Sequence, residues 1–279
     1  MTMSATRRFD LRRAGTVLAV LCMAAFIVPA CSGTSRRANG LPKVVRAGIA
    51  PIYPPLAYEK DGKLKGIEVD FADELDDDLG TEVKMVQLQW DELIPALQAG
   101  RIDVIMSGMS VTPERERLVS FADPYLQVGQ MALIRRADYL QLYEEGRMSS
   151  PKSRVGFLKN TTSELFAREN LPQAQLTGYA TVDDGIAALR ANQIDYFVMD
   201  APGVWRITGG LQTPDPDLKG LYTPLTKEYL AWAVRKDDTV LRDRLNAVLA
   251  KWKANGELEE ILDEWITVRK KTLEVRSHD

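Results

Sequence analysis

Ile94-Pro95-Ala96-Leu97-Gln98-Ala99-Gly100-Arg101-Ile102-Asp103 and Ile186-Ala187-Ala188-Leu189-Arg190-Ala191-Asn192-Gln193-Ile194-Asp195 align without a gap, sharing Ile, Ala-Leu, Ala and Ile-Asp. An apolar run follows each: Val104-Ile105-Met106 after the first, Tyr196-Phe197-Val198-Met199 after the second. Such runs read as strands buried on both faces of a parallel sheet. Composition alone could produce one coincidence of this kind. Position argues for more, because each unit stands third in a strand–helix–strand–helix–strand series. The chain therefore reads as two α/β lobes of similar plan.

Working outward, Val44 to Ile49 is a strand that ends at Pro51, Pro54 and Pro55. Glu68 to Leu79 has helical spacing, with Val69, Leu75 and Leu79 separated by acids. Val83 to Val86 is a second strand, and Asp91 to Ala99 a helix that Gly100 ends. The second series opens with a strand over Val155 to Leu158 and a helix from Ser163 to Asn170. Beyond it, Tyr229 to Val234 reads as one apolar strand, followed by helices over Thr239 to Trp252 and Glu257 to Ile266. If that late strand rejoins the first lobe, two segments cross between the lobes and leave a cleft at the carboxyl ends of both sheets, where α/β folds bind ligands.

The ends of the chain carry an address. Arg7, Arg8, Arg12 and Arg13 precede an uncharged apolar run from Ala14 to Val28, too short to span a bilayer and built like a secretory signal over residues 1–30. Thr6-Arg7-Arg8-Phe9 faintly resembles a twin-arginine export signal, so the export route stays open. Val28-Pro29-Ala30-Cys31 resembles a bacterial lipobox, with Val28 and Pro29 departing from the usual pattern. Its Cys31 is the expected lipidation site, and polar residues then form a tether over 31–41. Cys22 and Cys31 are the two cysteines, so the folded part has neither a disulfide nor a thiol nucleophile. The single histidine, His278, lies in a tail over 271–279, which argues against a metal site or histidine catalysis. No cofactor is expected. Removing the leader's +3 from the whole-chain charge of −3 leaves −6, an acidic balance that speaks against nucleic acid.

Tyr53-Pro54-Pro55-Leu56, Gly66-Ile67-Glu68-Val69-Asp70, Asp91 to Leu97 and the long run Ile102 to Arg115 stand in an order that resembles the family 3 extracellular solute-binding proteins, amino-acid receptors of ABC importers. The resemblance covers nearly everything after Pro42. It implies a two-lobed, type II periplasmic-binding-protein-like α/β fold, each lobe a mixed sheet flanked by helices. Lobe one would take 42–124 plus 231–270 and lobe two 130–225, with hinge crossings at 125–129 and 226–230. It further implies a monomer outside the cytoplasm, held to the membrane by its lipid anchor alone and working with an importer permease.

By the same resemblance Arg115 forks onto the ligand carboxylate, as guanidinium geometry permits. Backbone donors after the third strand, at Gly108 and Ser110, and at Thr162 before a lobe-two helix assist it. Asp200 pairs with the α-ammonium. Ala50, Tyr53, Leu56, Trp90, Leu158 and Met199 line the side-chain subsite; receptors for basic amino acids usually carry an aspartate where Ala50 stands. The absence of charge there points to an uncharged ligand side chain. Plainer readings remain beside these: Arg115 as a solvated charge, Thr162 and Asp200 as caps, and Tyr53 and Trp90 as core filling.

Three rivals share the fold. A cyclohexadienyl dehydratase-like enzyme could use Glu59, Asp123 or Asp200 as its acid or base. The sensor module of a receptor kinase or channel shares the lobes, although no further domain or membrane run is visible. A receptor for another small carboxylate needs Arg115 but not Asp200.

Overall fold

A computed structural model of the chain describes residues 40–144, 146–209 and 214–266. The expected signal over 1–30, Cys31, most of the tether, residues 267–270 of the first lobe and the tail over 271–279 lie outside the described residues.

In chain order the first lobe contains β1 (Val44–Ile49), β2 (Ile52–Tyr53), β3 (Ala57–Lys60), β4 (Lys63–Lys65), α1 (Ile67–Leu79) and β5 (Glu82–Gln87). It continues with α2 (Leu93–Gln98), β6 (Val104–Ile105), α3 (Pro113–Glu116) and β7 (Ser120–Phe121). After β8 (Leu126–Val128) the second lobe brings β9 (Gln130–Arg135), α4 (Tyr139–Leu142), β10 (Arg154–Leu158), α5 (Thr162–Asn170) and β11 (Gln175–Tyr179). Then come α6 (Val182–Arg190), β12 (Tyr196–Asp200), α7 (Ala201–Gly209) and β13 (Leu218–Leu221). The chain returns through β14 (Glu228–Leu230) to β15 (Ala233–Val234), α8 (Thr239–Asn255) and α9 (Glu257–Trp265).

The two five-stranded sheets follow one plan. Their orders are β5-β1-β6-β15-β7 and β11-β10-β12-β9-β13. The first three strands of each are parallel, and the fourth runs antiparallel to the third. Each sheet carries an apolar cluster on both faces. Around the first, Phe71 stacks on Trp252 at 5.6 Å and meets Trp232 edge-on at 5.5 Å.

The repeated Ile-Asp motif has a physical reason. Asp103 accepts the Arg46 backbone N–H (3.0 Å) and is clasped by the Arg46 guanidinium at 2.9 Å, while Asp195 takes the Arg154 N–H (3.0 Å) and guanidinium (2.5 Å) in the same way. A second arginine at the antiparallel fourth strand completes each unit, Arg235 at 3.4 Å from Asp103 and Arg135 at 3.3 Å from Asp195. Burial pushes both carboxyls up, but the arginine hydrogen bonds and charges outweigh it and hold them below the usual range. Each motif thus ties the strand after its helix to the edge of strand one.

Two expectations change. Tyr229 to Val234 is not one strand: β14 pairs antiparallel with β8, whereas β15 joins the first sheet beside β6. Ala231 and Trp232 separate them, because the Trp232 indole turns inward to donate to Glu68 at 3.0 Å. Leu41, assigned to the tether, is 1% exposed and belongs to the first core. Its neighbours are fixed there, with Thr81 Oγ1 at 2.7 Å from the Pro42 carbonyl and 2.8 Å from that of Lys43. β8 and β14 together form the paired passage from one sheet to the other.

Candidate functional site

The carboxyl ends of β1, β6, β10 and β12 converge on one cavity lined by Ala50, Ile52, Tyr53, Trp90, Ser107, Gly108, Ser110, Arg115, Leu158, Thr161, Thr162, Ser163 and Asp200. Its volume is about 30 Å³. Residues of both lobes line it. Hydrogen bonds hold them together here. Tyr53 Oη donates to the Asp200 carbonyl at 3.1 Å, and Trp90 Nε1 to the Asn160 carbonyl at 2.7 Å.

Arg115 is placed by local chemistry. Thr112 caps α3, accepting the Arg115 backbone N–H at 3.3 Å, and Pro113 pre-sets the first turn. The guanidinium donates to the Ser110 carbonyl at 2.8 Å and lies over the Trp90 ring, 5.4 Å from its centroid. Among the described residues no carboxylate stands within ion-pair distance of it. Burial lowers its affinity for its proton, opposed by the charges of Asp200, Glu228 and Glu114. A guanidinium stays charged under such shifts. It therefore offers a desolvated cation that a bound carboxylate can complete.

The opposite pole is Asp200 at the end of β12. Gln130 Nε2, from the start of β9, donates to Asp200 Oδ1, and reaches Thr162 Oγ1 at 3.1 Å and Glu228 Oε1 at 3.0 Å. Burial and the Glu228 charge push the Asp200 carboxyl up to about 7, against the Gln130 hydrogen bond and the Arg115 charge. Glu228 also accepts from Ser110 Oγ at 2.8 Å and Thr226 Oγ1 at 2.7 Å.

Of the cavity residues expected from sequence, Ala50, Tyr53, Trp90, Gly108, Ser110, Arg115, Leu158, Thr162 and Asp200 are brought together. Met199 and Leu56 are not among the lining residues. Met199 is fully buried in the second-lobe core, where its Cε packs at Gly203. The cause is the two-residue period of a strand: Asp200 faces the cavity, so Met199 must face away. Leu56 lies in the first core beneath Gly108, whose φ of +66° and closeness to Leu56 leave no room for a Cβ.

Ile52 and Ser107 were missed, although each adjoins a residue that was foreseen, and Thr161 and Ser163 flank Thr162 at the helix start that was expected to favour an anion. Ser107 Oγ accepts the Ala50 N–H at 2.9 Å, and Thr161 caps α5 by accepting the Ser163 N–H at 3.3 Å. Gln130 and Glu228 left no local signal. They matter through each other, 98 residues apart, and through Asp200, 70 residues from Gln130.

Two α/β lobes joined by paired strands, with a cation and an acid from different lobes facing one cavity, define a two-lobed solute-binding protein. Residues 45–268 match the family model of bacterial extracellular solute-binding proteins, family 3, and the chain belongs to that family. It is similar to the histidine-binding periplasmic protein of Escherichia coli K12, with 29% identity over 256 residues that cover 86% of this chain and 94% of the relative. A crystal structure of a putative ABC-transporter binding component from Wolinella succinogenes, complexed with lysine, superposes with a TM-score of 0.75 at 30% identity. That match covers 81% of this chain and 97% of the other. An ancestral amino acid-binding protein, a precursor of cyclohexadienyl dehydratase, matches with a TM-score of 0.72 at 30% identity, covering 80% and 95%.

Proposed function

We propose that this protein captures a small α-amino acid with an uncharged side chain by closing two lobes over it, and delivers it to the permease of an ABC importer. The lobes are residues 42–124 with 231–270, and 130–225; closure turns on the crossings at 125–129 and 226–230. One observation carries the reading: Arg115 and Asp200, of opposite charge and from different lobes, line the same cavity. A zwitterion bridging them favours the closed form over the open one, and differential affinity of that kind is what closure requires.

The uncharged side chain rests on Ala50, Ile52, Trp90 and Leu158, which add no charge to the cavity lining. The relatives named for histidine and lysine bind amino acids with basic side chains; in this cavity such a group would be desolvated without an acid of its own. Anchoring through Cys31 after export fits a receptor that works beside a membrane permease. Among the described residues no helix is long and apolar enough to cross a membrane.

A thermal-shift screen of the common amino acids, small dicarboxylates and prephenate tests the proposal, since a ligand bound to the folded state raises its apparent stability. Neutral amino acids should give the largest shifts, and Arg115→Ala should abolish all of them. A response confined to lysine, arginine or histidine sinks the uncharged reading. Turnover of prephenate would instead favour the dehydratase-like alternative, in which the raised carboxyl of Asp200 would serve as the acid.

A further inference from the structure

Gln130 is fully buried, and its side-chain amide is oddly spent. Nε2 has two hydrogens to give, yet three acceptors crowd it: Asp200 Oδ1, Glu228 Oε1 and Thr162 Oγ1. Its own Oε1 is buried with no hydrogen-bond partner. The amide thus serves two carboxylates while its acceptor goes unmatched, the mark of a place short of donors. Asp200 comes from β12 in the second sheet, and Glu228 from β14 in the passage back to the first.

The surrounding charges do not balance. Among the described residues Arg115 on α3 is the one cation lining the cavity, set against both carboxylates. Tyr53 on β2 donates its hydroxyl to the Asp200 carbonyl, and burial raises its own titration well above the ordinary phenol. Tyr125 is likewise held neutral by burial and by Glu68 on α1, and Glu68 is already saturated with three donors. Arg206 on α7 faces Tyr53. Thr162 on α5 and Thr226 beside β14 add uncharged hydroxyls. Two like charges drawn to one nitrogen inside a protein repel, and such repulsion favours keeping a proton.

We propose that Asp200, tied to Glu228 through Gln130, keeps a proton when no ligand is bound, and that the ammonium of an incoming amino acid takes that proton's place. On binding, the carboxylic O–H bond breaks, its proton passes to solvent, and ammonium N–H donors occupy the oxygen it leaves; nothing else is transferred. Glu228 does not line the cavity. It is a positioning residue, acting through Gln130 and Ser110 to set how firmly Asp200 keeps its proton. The proposal rests on the amino-acid reading only for the identity of the incoming cation.

The test has two arms. In the ligand-free protein, the ¹³C-carboxyl signal of Asp200, assigned by its loss in Asp200→Asn, should titrate near the value of about 7 that its surroundings set. Glu228→Gln should lower that midpoint by about one unit or more, as removal of a like charge does. An Asp200 midpoint in the ordinary carboxylate range overturns the retained proton whatever the protein binds. So does a midpoint that a folded Glu228→Gln variant leaves in place.

The second arm is calorimetry of the wild-type protein with L-glutamine, glycine and L-arginine, in two buffers of different ionisation enthalpy. Binding at pH 6 should release about one proton and be about tenfold weaker than at pH 8, where release nearly vanishes. The pH dependence should flatten in Glu228→Gln, which a merely structural role does not predict. Binding with equal affinity at both values and no proton release overturns the exchange. If the carboxyl titrates as stated and none of the three binds, the amino-acid reading fails and the proton on Asp200 stands. Should Glu228→Gln not fold, the wild-type titration and proton count decide.

Discussion

Glu68→Gln probes the element that holds the cavity floor. Glu68 lies fully buried on α1 and accepts the Gly108 N–H at 2.5 Å, the Tyr125 hydroxyl at 2.6 Å and the Trp232 indole at 3.0 Å. Burial pushes its carboxyl up from 4.5 to about 6, against these three bonds. A rise of that size corresponds to about 2 kcal/mol charged against the ionised native form. The folded chain holds this proton more tightly than the unfolded one. Stability from this group is therefore lost as pH climbs from 4.5 to 6, and is level above.

Glutamine removes that pH dependence and adds a different defect. Its oxygen can keep the Gly108 and Tyr125 donors, but its amide nitrogen then points a donor at the Trp232 N–H. An unpaired buried donor costs about 1–3 kcal/mol at every pH. Relative to wild type, the variant should be less stable by that amount near pH 4 and recover about 2 kcal/mol by pH 7.5. Urea denaturation followed by tryptophan fluorescence, with equal m-values confirming a common transition, reads this double difference. A wild-type-minus-variant gap that stays constant within about 0.5 kcal/mol across that range would refute the reasoning.

Trp90→Phe keeps a ring under Arg115 but deletes the bond to the Asn160 carbonyl across the lobes. The loss of about 1 kcal/mol of closure should weaken amino-acid binding about fivefold by calorimetry, and unchanged affinity would contradict it. Ala50→Asp puts an acid in the apolar part of the cavity, so L-lysine and L-arginine should gain thermal shift relative to L-glutamine. Met199→Leu, buried away from the cavity, should cost under about 1.5 kcal/mol of stability and leave ligand shifts as they were.

Much of the fold could be read from the chain because its signals are local. Val44–Ile49 matches the expected strand, and the helices over Ile67–Leu79 and Thr162–Asn170 begin within one residue of expectation. Apolar periodicity and caps set such limits within a few residues. The Tyr229 to Val234 strand failed for a non-local reason: its halves serve different ladders, and hydropathy does not record which partner each half meets. Met199 failed for a local one. Neighbouring residues on a strand face opposite ways, so Asp200 in the cavity already implied Met199 in the core.

Only through its resemblance to the family did the sequence name the residues of opposite charge that meet at the cavity; by itself it determined the doubled α/β plan. It did so because helix and strand periods, turn glycines and a gapless ten-residue repeat are written in neighbouring positions. Only the tertiary structure decided why the repeated aspartates recur, each bound to an arginine at the start of a strand far earlier in the chain. It also decided that Gln130 joins Asp200 to Glu228. Those contacts link elements 70 and 98 residues apart. Burial then gives them their force, since the same three polar side chains in water would not tie one lobe to the passage between them.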